Sequence, residues 1–290
     1  LSPFGREALK DFTGLVEGSA NLWGPLDNLK HNGSLNLKKG GFYIPYLNLD
    51  YTIEDTDIML NDQIFSFSNV FMKDSEEATI AIMNGTFSHN NFKNWQTNLN
   101  ISSKRMLLLN TLQTEESLFF GKGFLGGLVN IEGPIKNLII SLEGATQNGT
   151  SIKIPWAENY GLSETSFISF IDKNKKLVLS EKSEEVVINE IKGVEMNFDL
   201  DVTNQAEVEI VIDQETGSYL RGRGGGNLFM EINTNGKFNM WGDFITFDGI
   251  YNFKNLGIID KKFNVKPGGT IVWEGNPLEA KMDLEAIYDV

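Results

Sequence analysis

Between residues 194 and 202 the chain alternates without a break. Val194, Met196, Phe198, Leu200 and Val202 are apolar, and Glu195, Asn197, Asp199 and Asp201 between them are polar. A helix would scatter these side chains around its axis, whereas a strand sorts them onto two faces. The stretch therefore reads as a β-strand with one oily and one wet side. The pattern recurs in Val208, Ile210 and Ile212 against Glu207 and Glu209, and in Leu228, Met230 and Ile232 against Asn227 and Glu231. TNQAE, DQETGS and NTNGK separate the runs with turn-forming residues, as antiparallel strands require. A further alternation, Ala280, Met282, Leu284, Ala286 and Tyr288 against Lys281, Asp283, Glu285, Ile287 and Asp289, reads as one uncapped strand.

Helix signals are few. Ser2 as N-cap and Pro3 as first helical residue open SPFGREALKDF, with Phe4, Leu9 and Phe12 on one side and Gly14 as a stop. A short helical turn is expected near Ala157 to Tyr160. The rest reads as all-β.

With 290 residues, 41% of them hydrophobic, the chain can bury a sizeable core. Its net charge of −14 argues against nucleic acid and against docking on an anionic bilayer surface. Uncharged lipid tails are not excluded by it. The absence of cysteine rules out disulfides and thiolate metal sites. No apolar run is long enough to span a membrane, and no signal-peptide pattern is present, so an export address would lie outside this sequence. Asn32, Asn84 and Asn148 each open an NG[ST] tripeptide and read as turns.

There is an internal repeat. GSANLWGPLDNL (18–29) matches GLVNIEGPIKNL (127–138) at an offset of 109, and Ile44-Pro45-Tyr46 falls on Ile154-Pro155-Trp156 at an offset of 110. GTIVWEGNPL, from 269, is a looser third copy. Repeats of this kind stack, each unit covering its neighbour's edge, and such an array could extend in both directions. The domain reading is a first β module over 1–172, a charged connector over 173–192 containing DKNKK and SEKSEE, and a second β module over 193–290. The whole reads as a fragment of a longer protein.

Chemical motifs are weak. GKGFLG (121–126) fits G-x-G-x-x-G, but a strand pattern follows where a dinucleotide site needs a helix, so a sharp glycine turn is the better account. RGRGGG (221–226) reads as a tight loop or a glycine-rich strand corner, with Arg221 and Arg223 free to pair with carboxylates. His31 and His89 sit among asparagines and read as surface residues. Glu115-Glu116 and Glu184-Glu185 read as solvated loops. No nucleophile elbow is present, and no catalytic residue, cofactor or metal is assigned. Twenty phenylalanines, many in strand runs, fit either a sandwich core or an apolar trough.

FYIPYLNLDY (42–51), SETSFISFIDKN (163–174), GVEMNFDLDVTNQAEVEIVID (193–213), LRGRGGGNLFMEINTNGKFNMWGDFITFDGIYNF (220–253) and GGTIVWEGNPLEAKMDLEAIY (268–288) resemble the C-terminal part of the TamB family, in its Bacteroidota branch. This is the long subunit of the translocation and assembly module of Gram-negative bacteria. The resemblance implies a curled, elongated antiparallel half-pipe, a β-taco, with an apolar interior. It implies a periplasmic segment of a protein that is anchored in the inner membrane and reaches the outer membrane, without enzymatic activity. The implied partners are phospholipid acyl chains and an outer-membrane β-barrel of the TamA type. A one-sided strand must bury its oily face, and in a sheet that curls without closing an acyl chain can cover it. Exposing a tail of about 16 carbons to water costs roughly 13 kcal/mol at ~0.8 kcal/mol per methylene.

The expected groove lining is Val194, Met196, Phe198, Leu200, Val202, Val208, Ile210, Ile212, Leu228, Met230 and Ile232, with Met282 and Leu284 from the last strand. One alternative is a chaperone-like scaffold that pairs its free edge, from Ala280 on, with strands of outer-membrane proteins. Another is a closed β-sandwich binding module.

Overall fold

The computed structural model describes residues 10–45, 47–114, 119–155, 193–233, 237–255 and 259–288. The first half carries β1 (Lys10–Trp23), β2 (Lys30–Ile44), β3 (Leu49–Ile53), β4 (Thr56–Asp62), β5 (Ile64–Asp74), β6 (Ile80–Asn90), β7 (Lys93–Thr111), β8 (Phe120–Pro134), β9 (Asn137–Thr146) and β10 (Ser151–Pro155). The second carries β11 (Gly193–Val202), β12 (Glu207–Asp213), β13 (Ser218–Asn233), β14 (Phe238–Asn255), β15 (Ile259–Val265), β16 (Thr270–Gly275), β17 (Lys281–Asp283) and β18 (Ala286–Ile287). One 3-10 turn, Pro277–Glu279, precedes β17. All strands among the described residues are hydrogen-bonded into a single sheet.

Neighbours pair antiparallel except at one seam, where β9–β10 and β11–β12 run parallel. Consecutive short strands lie end to end along a longer neighbour. β9 and β10 both pair with β8, β11 and β12 with β13, and β15 and β16 with β14. Their interruptions, 147–150, 203–206 and 266–269, line up across the sheet, together with the register shift at Arg223/Gly224 and the gap 284–285. This line is a crease that divides each strand into two arms. At the crease β13 presses on β14. A Cβ on Gly226 would lie 1.8 Å from the Asp243 carbonyl oxygen, so no larger residue fits without moving a strand.

Two packed clusters hold the curl. Val202, Ala206, Leu228, Met240, Phe244 and Ile271 form one, and Ile210 from beyond the crease packs against it, so the apolar faces of the two arms meet there. The other joins Leu49, Tyr51, Met72, Ala81, Met106, Leu107 and Phe124. Here the Tyr51 hydroxyl donates to the Leu107 carbonyl at 2.8 Å, and Asn110 N–H donates to the Leu47 carbonyl. On a flat sheet β3 and β7, with β5 and β6 between them, would sit about 14 Å apart. The direct bonds show the sheet rolled onto itself. Burial and the charge of Asp74 push the Tyr51 pKa up, which keeps the hydroxyl a donor. Asp74 is itself buried. Burial disfavours its charge, but bonds from the Thr79 hydroxyl and the Glu77, Thr79 and Glu76 N–H groups outweigh this and hold the carboxyl below its ordinary value.

Several sequence expectations are corrected. The N-terminal helix is not seen: from Lys10 onward its residues form β1, where eleven pairings with β2 outweigh the weak local helix signal; residues 1–9 lie outside the described set. Asn32 and Asn84 are mid-strand, and only Asn148 is in a turn. GKGFLG lies inside β8 rather than in a turn. RGRGGG is the strand corner at the crease, and Arg221 lies 3.8 Å from Glu209, which also pairs with Lys153. The final alternation forms two short strands broken at Leu284 and Glu285, because it must follow the crease. The 173–192 connector, the turn near Ala157–Tyr160, the SETSFISFIDKN stretch and both acidic pairs lie outside the described residues.

The repeat corresponds to matching hairpins. In β1–β2, Gly18 faces Leu35 and Leu22 faces His31; 109 residues on, in β8–β9, Gly127 faces Gly144 and Ile131 faces Ile140. Both turns open on a glycine at left-handed φ, Gly24 at 100° and Gly133 at 107°. A Cβ there would come within 2.7 Å and 2.9 Å of the Asn28 and Asn137 carbonyls.

Candidate functional site

Facing residues on paired strands project to the same side, so register alone traces each face across the sheet. Val70 faces Met83, Met83 faces Ile101, and Ile101 faces Val129. The row continues through Leu142, Phe198, Met230 and Met240. It crosses β5, β6, β7, β8, β9, β11, β13 and β14 without a polar residue, over roughly 34 Å at one strand spacing per step. A second row, two residues along each strand, runs Leu99, Ile131, Ile140, Met196, Ile232 and Phe238.

Between these rows the side chains point the other way and are polar throughout: Asn84, Asn100, Asn130, Ser141, Asn197, Glu231 and Asn239. Asn100 Nδ2 donates to Asn130 Oδ1 at 2.8 Å, a part-buried amide pair on this side. Around these rows the sheet is apolar on one side and polar on the other, although Phe71, Ile82, Leu128, Phe229 and Trp241 stand on the polar side two residues farther along, and both apolar rows cross the parallel seam unbroken.

The sequence-derived lining falls on this apolar side as follows. Val194 faces Leu138, Met196 faces Ile140 and Ile232, Phe198 faces Leu142 and Met230, and Leu200 faces Leu228. Met196, Phe198, Met230 and Ile232 are half-buried, so nothing closes over them completely. Val202 and Leu228 are sealed in the packed cluster beside the crease. Beyond the crease, Val208 and Ile210 face Ile152 and Ile154. Ile212 lies at a register shift without a facing partner in β13. Met282 faces Ile271 yet is 42% exposed, and Leu284 packs on the cluster. A cavity of about 30 Å³ between the arms, lined by Val208, Ile210, Leu220, Phe244 and Ile271, has room for water but not for a hydrocarbon. Within the rows Val70, Leu142 and Met240 are buried, and Met230 and Phe238 pack against the cluster at the crease. The half-buried apolar surface farthest from both clusters is Leu99, Ile131, Ile140, Met196 and Ile232 of the second row, with Val129 and Phe198 beside them.

One cluster escaped the sequence reading. His31 and His89 are buried on the apolar side, not exposed. Their Nε2 atoms are 2.9 Å apart, ringed by Phe65, Phe92 and Trp95. Phe92 N–H donates to His89 Nδ1, so neutral His89 carries its proton on Nε2 and donates it to His31. Burial lowers both pKa values; the neighbouring His31 lowers that of His89 further, and Asp62 partly opposes the effect at His31. The alternation Phe87, His89 on β6 was the available signal, masked by the surrounding asparagines.

The family model of the TamB C-terminal domain matches residues 68–290, from within β5 to the last strand. The chain belongs to the TamB family. No curated protein and no solved structure gives a significant match. TamB proteins are components of a translocation and assembly module serving outer-membrane biogenesis, a transport and assembly role rather than an enzymatic one, and work in general with TamA-type partners. Both apolar rows of this TamB chain lie largely inside the matched region. No helix among the described residues is long and apolar enough to cross a membrane. No group of three or more His, Asp or Glu that could hold a metal occurs among them.

Proposed function

We propose that this TamB segment shields phospholipid acyl chains along its apolar side during passage between inner and outer membrane. The observation that carries the reading is the uninterrupted row from Val70 to Met240, backed by the polar row from Asn84 to Asn239. The half-buried second row alone, Leu99 to Ile232 across five strands, spans roughly 19 Å, which exceeds the acyl depth of one leaflet, about half of a ~30 Å hydrocarbon core. A tail moving from strand to strand would keep its methylenes out of water without any chemistry, and no catalytic group is called for. In this reading the segment works in the periplasm, in a longer protein anchored in the inner membrane, with a TamA-type barrel at the outer membrane. The two modules, 1–172 and 193–290, contribute one continuous path.

A photo-crosslinker at Phe198 in cells tests this. It is expected to label phospholipid, while the same group at Asn197, one residue along and on the other side, does not. Labelling of protein alone at Phe198 would overturn the conduit reading.

A further inference from the structure

His31 and His89 stand on strands that are not neighbours. β4 and β5 lie between β2 and β6, so on a flat sheet the two residues would sit about 14 Å apart. Their contact at 2.9 Å therefore spans the hollow of the rolled sheet, at the end where three hairpin turns gather. The turns are tied to one another as well. Asn91, after β6, accepts from the Leu29 N–H at 3.2 Å and donates to the Leu26 carbonyl at 3.0 Å. Gln63, between β4 and β5, donates to Asn28 Oδ1 at 3.0 Å and accepts from the Asn91 N–H. This closure is strained. Asn91, Phe92 and Asn94 take left-handed φ values of 50°, 59° and 51°, a costly choice for a residue as bulky as Phe92. The Phe92 N–H is held by His89 Nδ1 at 3.0 Å. His31 Nδ1 is buried without a partner of good geometry, with only its own main chain near it.

We propose that the His31–His89 pair is an acid-released latch, which shuts the turn end of the first-half hollow at neutral pH and opens it when the rings take up protons. A proton on His89 goes to Nδ1, where it meets the Phe92 N–H instead of accepting from it, and the strained turn loses its anchor. A proton on His31 goes to Nε2, the atom that accepts from His89, so the bridge across the hollow is lost and two cationic rings repel. Among the surrounding elements, β4 presents Asp62, which faces His31 and lies 3.1 Å from Lys30. The β1–β2 turn carries Asp27, and β7 carries Lys93, opposite Asn90. β1 and β5 offer only the neutral Leu22 and Phe65. Opening uncovers Phe65, Phe92 and Trp95, which pack on the imidazoles with ring centroids 4.4 to 4.7 Å away. The other closure, Tyr51 to Leu107, rests on a phenol pushed above its ordinary value, so acid releases one end alone. The latch belongs to the fold and does not depend on lipid binding.

Hydrogen exchange of the intact chain without lipid, followed from pH 7.5 to 5 and corrected for the intrinsic pH dependence of exchange, is the test. Protection over 26–31, 61–65 and 89–95 is expected to fall about tenfold or more, while 47–53 and 105–111 keep theirs. His89→Asn places an amide oxygen where Nδ1 accepts from Phe92 and cannot take up the proton, so exchange at these turns should no longer depend on pH. Asp62→Asn removes the carboxylate that favours a proton on His31, and should move the opening to lower pH. Circular dichroism confirms that both variants fold. Unchanged protection at the three turns, an equal loss over 47–53 and 105–111, or an unaltered pH response in both variants would each overturn the proposal.

Discussion

Phe198 and its neighbour Asn197 differ by one position along β11 and face opposite environments, so single residues can separate the sheet's two sides. Phe198→Asp places a charge in the apolar row, where it stays half-solvated and the fold survives. Lipid labelling from a crosslinker at Met230, directly opposite, is expected to disappear while the circular dichroism spectrum is retained. The histidine pair supplies a second prediction at this scale. A proton on His89 breaks its bond from Phe92, and one on His31 breaks the His–His bond, so the folded chain favours neutral rings. Both folded pKa values lie below the ordinary 6.5. The unfolded chain then takes up protons first, and the stabilisation present above that pH is lost as pH falls towards the folded values. Asp74, held below its ordinary 3.8, adds a separate loss at lower pH. Urea midpoints followed from pH 8 to 5 should fall, and a His31→Phe, His89→Phe double variant should flatten that slope.

The strands were legible because their alternation is a property of each segment alone. Val194 to Val202 is one unbroken strand, and Leu228 to Ile232 lies where its period places it. What alternation could not show is what depends on partners. Lys10 to Gly14 reads locally as a helix end, and only its pairing with β2 makes it a strand. The last alternation reads as one strand but breaks at 284–285, since its neighbours all break on that line. The expected lining lies wholly in the second half, where the alternation is unbroken. The equally periodic Leu99 and Ile101, or Val129 and Ile131, needed the register across β7 and β8 to join it. The crease gives this scale its own prediction. Gly226→Val drives a side chain into the Asp243 carbonyl, and should cost roughly 2 kcal/mol or more in denaturant unfolding. Gly217→Asn, in a roomy turn at a φ of 75° that asparagine tolerates, should cost clearly less.

At the scale of the whole molecule, a one-sided sheet stays dispersed only if its hydrated side does not stack. The row from Asn84 to Asn239 supplies that, with polar side chains, among them the Asn100–Asn130 amide pair, in place of apolar groups. Asn100→Leu with Asn130→Leu is expected to leave the β-spectrum unchanged and to make particles associate, seen as concentration-dependent sedimentation. Lipid labelling at Phe198 should persist, because the other side is untouched.

The parallel seam has a consequence for how such a molecule is made. Every other pairing joins strands that are consecutive or separated by one or two short strands, so the loop each closes is shorter. At the seam Val194 meets Leu138 and Phe198 meets Leu142, across a long stretch of intervening chain, and closing that loop is the entropically costly step. The two meanders are therefore expected to mature separately and to join last. Pulse-labelled amide exchange during refolding should show β6 to β8 and β13 to β14 protected before β9 and β11. Simultaneous protection of all of them would mean that the seam nucleates the sheet instead of finishing it.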